Sequence, residues 1–276
     1  MFDRPWGVNV GCSGDFAYAG TTADTTTMEL TGLLRYKLDE NWSLHGGLRA
    51  GRFGADVSLD GPAFGDIGYH WSGDYEWGLG YVVGGAYEIP ETALSVALTY
   101  SSKIDYDLDS VETIARGVRR GLTTDITMPR SVNLDFQTGI DETTLLYGSV
   151  RWVDWSGWTI APALLAEVAG APLAEDDSDS FLYRIGLARQ LTPNFAGAIE
   201  MTYLPSENEV QSALRPYDGY TSLGAGGTYT FDSGLALTAG AAYYWLGDAE
   251  VSENGVASRF DDNKAVALSF FVGYSF

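Results

Sequence analysis

Short and long connections alternate strictly along this chain, and that regularity limits the folds open to it more than any motif does. Period-two alternation of apolar residues marks twelve strand candidates, at 4–12, 27–38, 42–58, 74–88, 92–106, 122–138, 143–155, 181–190, 195–204, 220–231, 235–247 and 264–276. Five connections are tight and rich in turn formers: 39–41, 89–91, 139–142, 191–194 and 232–234. Six others, near 13–26, 59–73, 107–121, 156–180, 205–219 and 248–263, are long. A transmembrane up-and-down barrel has this asymmetry, with short periplasmic turns and long outside loops. A soluble sandwich gives no reason for it. The expected fold is all-β: one antiparallel barrel domain over residues 1–276, with about twelve strands crossing the outer membrane of a Gram-negative bacterium.

The last strand supports this. Val266, Leu268, Phe270, Val272, Tyr274 and Phe276 put an apolar side chain at every second position. In water such an edge invites aggregation, and closure into a barrel removes it. Phe270, Val272, Tyr274 and Phe276 are expected to form the C-terminal signal read by the barrel assembly machinery. No stretch of about 18 apolar residues occurs, so helical membrane spans are excluded. The 17 Tyr, 12 Phe and 8 Trp suit the aromatic girdles of a barrel. A net charge of −21 argues against a nucleic-acid partner. Cys12 is the single cysteine, which rules out an intramolecular disulfide and leaves no metal-binding spacing.

Strand parity sorts the side chains. Trp77, Leu79, Tyr81 and Val83 share one face, as do Phe181, Tyr183, Ile185 and Leu187, and these are assigned to lipid. The opposite face carries Glu29, Arg35, Lys37, His45, Arg49, Glu76, Lys103, Asp135, Arg151, Arg184 and Glu200, which would line the lumen. The acidic groups Asp105, Asp107, Asp109, Glu112 and Glu175, Asp176, Asp177, Asp179 read as solvated outside loops, with divalent bridges to lipopolysaccharide as a further role. They lack the glycine of a calcium-binding EF-hand loop. Parity sends His45 inward and leaves His70 in a loop, so no Ser/His/acid constellation follows and no enzyme is expected.

Tyr87-Glu88-Ile89-Pro90-Glu91, followed by 93–100, resembles a hairpin of the long-chain fatty acid transporter (FadL) family. Residues 128–139, beginning Met128-Pro129-Arg130-Ser131-Val132, are similar to that family's middle segment, as are 148–156. Leu246-Gly247-Asp248 and Asp262-Asn263 are similar as well. The resemblance covers nearly the whole chain. It implies a fourteen-stranded barrel plugged by an N-terminal hatch and passive uptake of long-chain fatty acids or other hydrophobic compounds, without a cofactor. Asp3-Arg4-Pro5-Trp6-Gly7 looks like the family's third strand, so signal peptide, hatch and about two strands are expected to be missing. The alternative is a general diffusion porin for small hydrophilic solutes.

A fatty acid site needs apolar surface plus a cation for the carboxylate. Arg49, Lys103, Arg151 and Arg184 are the inward cations. Each could instead pair with Glu29, Glu76, Asp135 or Glu200 in a ladder that fills a polar lumen. Arg151 is favoured for ligand contact, because Tyr147, Val153 and Trp155 share its face. Trp152 suits the girdle. Trp158 suits either the girdle or a loop that catches hydrophobes, and 159–173 is apolar enough for a short loop helix or a groove. Outer-membrane lipids and lipopolysaccharide complete the expected partners.

Overall fold

The structure, a computed structural model, describes residues 2–3, 7–12, 17–207, 211, 214–253 and 256–274. Its strands in chain order are β1 (Phe2–Asp3), β2 (Gly7–Gly11), β3 (Thr22–Lys37), β4 (Trp42–Leu59), β5 (Tyr69–Ile89), β6 (Leu94–Ser101), β7 (Ile104–Ile114), β8 (Gly117–Met128), β9 (Ser131–Asp141) and β10 (Thr144–Val153). They continue as β11 (Trp158–Ile160), β12 (Ala174–Asp176), β13 (Ser180–Thr192), β14 (Phe195–Leu204), β15 (Tyr220–Thr230), β16 (Leu235–Leu246), β17 (Ala249–Glu253), β18 (Val256–Phe260) and β19 (Lys264–Tyr274). One helix, α1 (Ala163–Ala169), lies between β11 and β12. No described helix is long and apolar enough to cross a membrane.

The main sheet runs β3-β4-β5-β6-β9-β10-β13-β14-β15-β16-β19, antiparallel throughout, with β1 and β2 both paired to β3. Among the described residues, no ladder joins β19 to the N-terminal strands. The tight turns expected from the sequence are all present. The outward apolar belt is equally plain: Leu34 is 83% exposed, Leu48 73%, Leu79 78% and Leu268 82%. Such side chains are stable in that position only against lipid. Phe270, Val272 and Tyr274 belong to this belt, whereas Phe276 lies outside the described residues.

Several expectations need correction, among them the strand at 122–138, which breaks at Pro129 and Arg130 into β8, paired with β7, and β9, paired with β6 and β10. The stretch 92–106 is not one strand: it breaks at Ser102 and Lys103 into β6, which pairs the lower part of β5, and β7, which pairs its upper part. The 107–121 connection is therefore no loop but the β7–β8 hairpin. Likewise β3 and β5 start earlier than expected and continue outward past the belt. These extensions, with the inserted hairpins and α1, enclose the molecule's main hydrophobic cluster: Phe53, Val57, Tyr69, Trp71, Leu108 and Leu165 are among its buried members. The lipid belt below has no such core, because its apolar face points outward.

Close approach between strands fixes one glycine. A Cβ on Gly47 would run into the backbone carbonyl of Gly32 on β3, whereas one on Gly32 meets nothing within 4 Å. Gly47→Ala is expected to destabilise the β3–β4 pairing by about 1–3 kcal/mol, seen as a lower temperature for the shift from folded to unfolded mobility on a gel. Gly32→Ala should leave that temperature within the spread of surface substitutions, and equal behaviour of the two would contradict the packing described.

Candidate functional site

Inside the belt, antiparallel register brings charges from several strands to one level. Arg49 of β4 holds Glu29 of β3 with both guanidinium edges, Nε to Oε1 at 2.9 Å and Nη2 to Oε2 at 2.7 Å, and donates from Nη1 to the Ser102 carbonyl at 3.0 Å. Arg184 of β13 pairs with Glu200 of β14 at 3.2 Å. His45 lies 2.9 Å from the Thr99 hydroxyl, and Arg35 bonds Ser43 and Glu88. Arg151 projects into this set from β10, with Arg49, Glu29, Asp135 and Arg184 as its charged surroundings. Among the described residues it makes no hydrogen bond and no ion pair within 4.0 Å. It is, among the described residues, the one candidate cation without a direct ion pair, Glu29 and Asp135 acting on it from farther away.

The other candidates fall into place around it. Tyr147 shares the face of Arg151, and its ring occupies the space that the missing side chain of Gly186 leaves. Lys103 lies at the break between β6 and β7, 61% exposed and paired with Asp105 at 3.0 Å, so it is a surface residue and not part of the lumenal set. Trp155 also departs from expectation: β10 ends at Val153, and Trp155 donates its N–H back to the Val153 carbonyl in a tight turn. It therefore leaves the Arg151 face and packs edge-on against Trp158, with ring centroids 5.3 Å apart. Trp152 is tied to the girdle level by its Nε1 bond to Asp179 at 2.9 Å.

Above the lumen, two clefts flank Trp158. One, about 410 Å³, is lined by Trp158, Ala161, Ala166 and Pro172, with Glu175 and Asp177 also on its wall. The other, about 460 Å³, is lined by Trp158, Lys103, Arg130 and Asp154. The indole Nε1 of Trp158 is shielded from solvent and has no hydrogen-bond partner. The helix expected in 159–173 is α1, and it forms a wall of the first cleft.

Glu112 holds this outer cap together. It is completely buried, against the expectation of a solvated acidic loop. The Tyr69 hydroxyl donates to it at 2.9 Å, and the backbone N–H groups of Leu164 and Leu165 at 2.9 Å each. The carboxylate thus bolts the β7–β8 hairpin to β5 and caps a helix whose own N-cap, Pro162, offers no side-chain acceptor. The missed signal was parity: Ile104, Tyr106, Leu108 and Ser110 share a face with Glu112, and all five are buried. Burial first, and then the adjacent Glu112 carboxylate, push the Tyr69 phenol well above its ordinary range. An unfolded tyrosine ionises near pH 10, so the stability this hydroxyl contributes is complete below that pH and is lost as pH rises beyond it. With the intrinsic base-catalysed rate divided out, amide protection in 162–170 should fall above about pH 10, and Tyr69→Phe should remove that fall; an unchanged loss of protection in the variant would sink this reading.

His70 also corrects an expectation, being on β5 and not in a loop. Its Nδ1 lies 3.0 Å from the Ser58 hydroxyl and its Nε2 3.5 Å from Asp56. The His70 and Asp56 side chains are about half exposed, at 43% and 52%. Among the described residues, no three His, Cys, Asp or Glu side chains gather as a metal cage.

Residues 13–276 match the family described as outer membrane protein transport protein (OMPP1/FadL/TodX). A Pseudomonas aeruginosa FadL homologue superposes with a TM-score of 0.70 at 15% identity, covering 98% of this chain and 72% of that one. The Ralstonia pickettii toluene transporter TbuX gives 0.62 at 12% identity, over 99% and 76%. The Pseudomonas putida toluene transporter TodX gives 0.61 at 12%, over 88% and 71%. No curated protein matches the chain.

Proposed function

The chain belongs to the outer membrane protein transport family of OMPP1, FadL and TodX, and on that premise we propose that it admits hydrophobic compounds passively, with long-chain fatty acids as its cargo. Arg151 carries this reading. A guanidinium with no partner in a lumen whose other arginines are neutralised is a place for an incoming carboxylate, and the pairing would be charge-assisted. Tyr147 offers ring surface beside it for the first carbons of the chain. The clefts at Trp158 would take the molecule from outside, where its alkyl tail leaves water. Movement inward follows the concentration gradient and needs no nucleotide.

A second reading, uptake of monoaromatic hydrocarbons, draws support from the Trp155–Trp158 pair, whose edge-to-face arrangement suits a flat ring. TodX and TbuX are named as toluene transporters. The two readings separate on the carboxylate. Saturable binding of oleate but not toluene, measured by tryptophan emission on the folded barrel, favours the fatty acid. The reverse favours the hydrocarbon, and ion conductance with neither ligand bound points to a porin.

A further inference from the structure

The outward face of β4 changes character at Arg52. Below it, Leu44, Gly46, Leu48 and Ala50 face lipid; above it the apolar residues switch parity to Phe53, Ala55, Val57 and Leu59, which face the interior. The outer surface therefore stops being apolar at this residue. Distance agrees. Arg52 is ten residues beyond Trp42, which packs on Tyr87 near the periplasmic turn. At about 3.4 Å per residue and a tilt near 40°, that is roughly 26 Å, the height of a barrel's apolar band.

Arg52 has an unusual environment for that level. Its guanidinium lies 4.5 Å from the centre of the Tyr75 ring, and Trp77 and Met28 are its cross-strand neighbours. Its Nε is shielded from solvent and bonded to nothing, and among the described residues the side chain makes no ion pair. Arg130 provides the contrast: it lies 5.9 Å over the Trp152 ring, but Asp154 neutralises it at 2.7 Å. Arg52 is thus a half-buried cation with no ion pair among the described residues, resting against an aromatic ring, at the height where lipid headgroups begin.

We propose that Arg52, with Tyr75 and Trp77, forms a docking site for the phosphate of a phosphorylated glycolipid in the outer leaflet, of the lipopolysaccharide type. A guanidinium presents parallel N–H donors matched to phosphate oxygens, and the exposed Leu48 and Leu79 directly below offer a ridge for acyl chains. Charge complementarity selects the anion. A chain of net charge −21 repels an anionic leaflet at most points, so an unpaired arginine on the lipid face is where close contact can form. The site is independent of the cargo and of Arg151.

Native mass spectrometry of the detergent-solubilised chain, titrated with bis-phosphorylated lipid A and with its dephosphorylated form, tests this. The expected result is preferential retention of the phosphorylated lipid and an affinity about tenfold lower in Arg52→Gln. Arg52→Lys should recover part of the loss, and Arg130→Gln should bind as the parent does. Gel mobility before and after heating establishes that each variant is folded. Indifference to the phosphates, unchanged affinity in folded Arg52→Gln, or no lipid retained by the parent would each overturn the proposal.

Discussion

Oleate is expected to bind the Arg151→Ala barrel about thirtyfold more weakly than the parent, a loss of ~2 kcal/mol for one charge-assisted contact in a partly hydrated lumen. Toluene affinity should not change, since a hydrocarbon has nothing for the guanidinium to hold. Arg151 suits such a test because, among the described residues, it makes no hydrogen bond and no ion pair within 4.0 Å, so its removal breaks no direct contact, and Asp135 and Glu29 lose only a more distant charge. Arg49→Ala would be less informative. It strands Glu29 and releases the Ser102 carbonyl, so any effect on binding would be mixed with damage to the β3–β4 wall. Arg151→Lys should restore part of the affinity, a compact ammonium replacing the fork. Unchanged oleate affinity in folded Arg151→Ala would remove the carboxylate site from the lumen.

Glu112→Ala should open the outer cap without unfolding the barrel. The substitution leaves the Tyr69 hydroxyl and two helix N–H groups without their acceptor. At about 1–3 kcal/mol for each unsatisfied buried group, even the low end totals ~3 kcal/mol. Local opening of the 154–179 segment would then rise about a hundredfold, and its proteolysis in step. Glu112→Gln keeps one carbonyl oxygen and should lie between. The temperature at which gel mobility changes should stay near the parent's, because Glu112 bonds only the outermost end of β5 and the helix α1, beyond the lipid belt. Equal proteolysis of parent and Glu112→Ala would show that the cap is held elsewhere. Other fastenings among the described residues are the Arg119–Glu167 ion pair at 2.7 Å between β8 and α1, and the Tyr18 hydroxyl bonded to the Val256 and Val251 carbonyls of the β17–β18 hairpin.

The barrel was legible in the sequence because two independent regularities, strand periodicity and connection length, agree. The cap was not, and β4 and β7 show why. Period-two alternation states which residues share a face but not whether the apolar face meets lipid or protein. Leu98 and Tyr100 face outward on β6, while Ile104 and Tyr106, at the same parity, are buried on β7, the chain having turned at Ser102 and Lys103. The serine hydroxyl marks the break by accepting the Tyr81 N–H and donating to the Lys103 carbonyl. On β5 the register is adjusted by an irregularity opposite Phe53 and Ala55, which no composition signal announces. Arg151 was legible as an inward cation by parity alone. That Arg49 and Arg184 are neutralised while Arg151 is not depends on cross-strand register, and Trp155 was misplaced because β10 ends two residues earlier than its alternation suggested.

The most direct measurement is a paired titration of the folded parent barrel with oleate and oleyl alcohol, which share a chain and differ in the carboxylate. The account predicts saturable micromolar binding of oleate and, with the charge-assisted contact gone, an affinity for the alcohol about tenfold lower or worse. Equal affinity for the two, or no saturable binding of oleate, would contradict it.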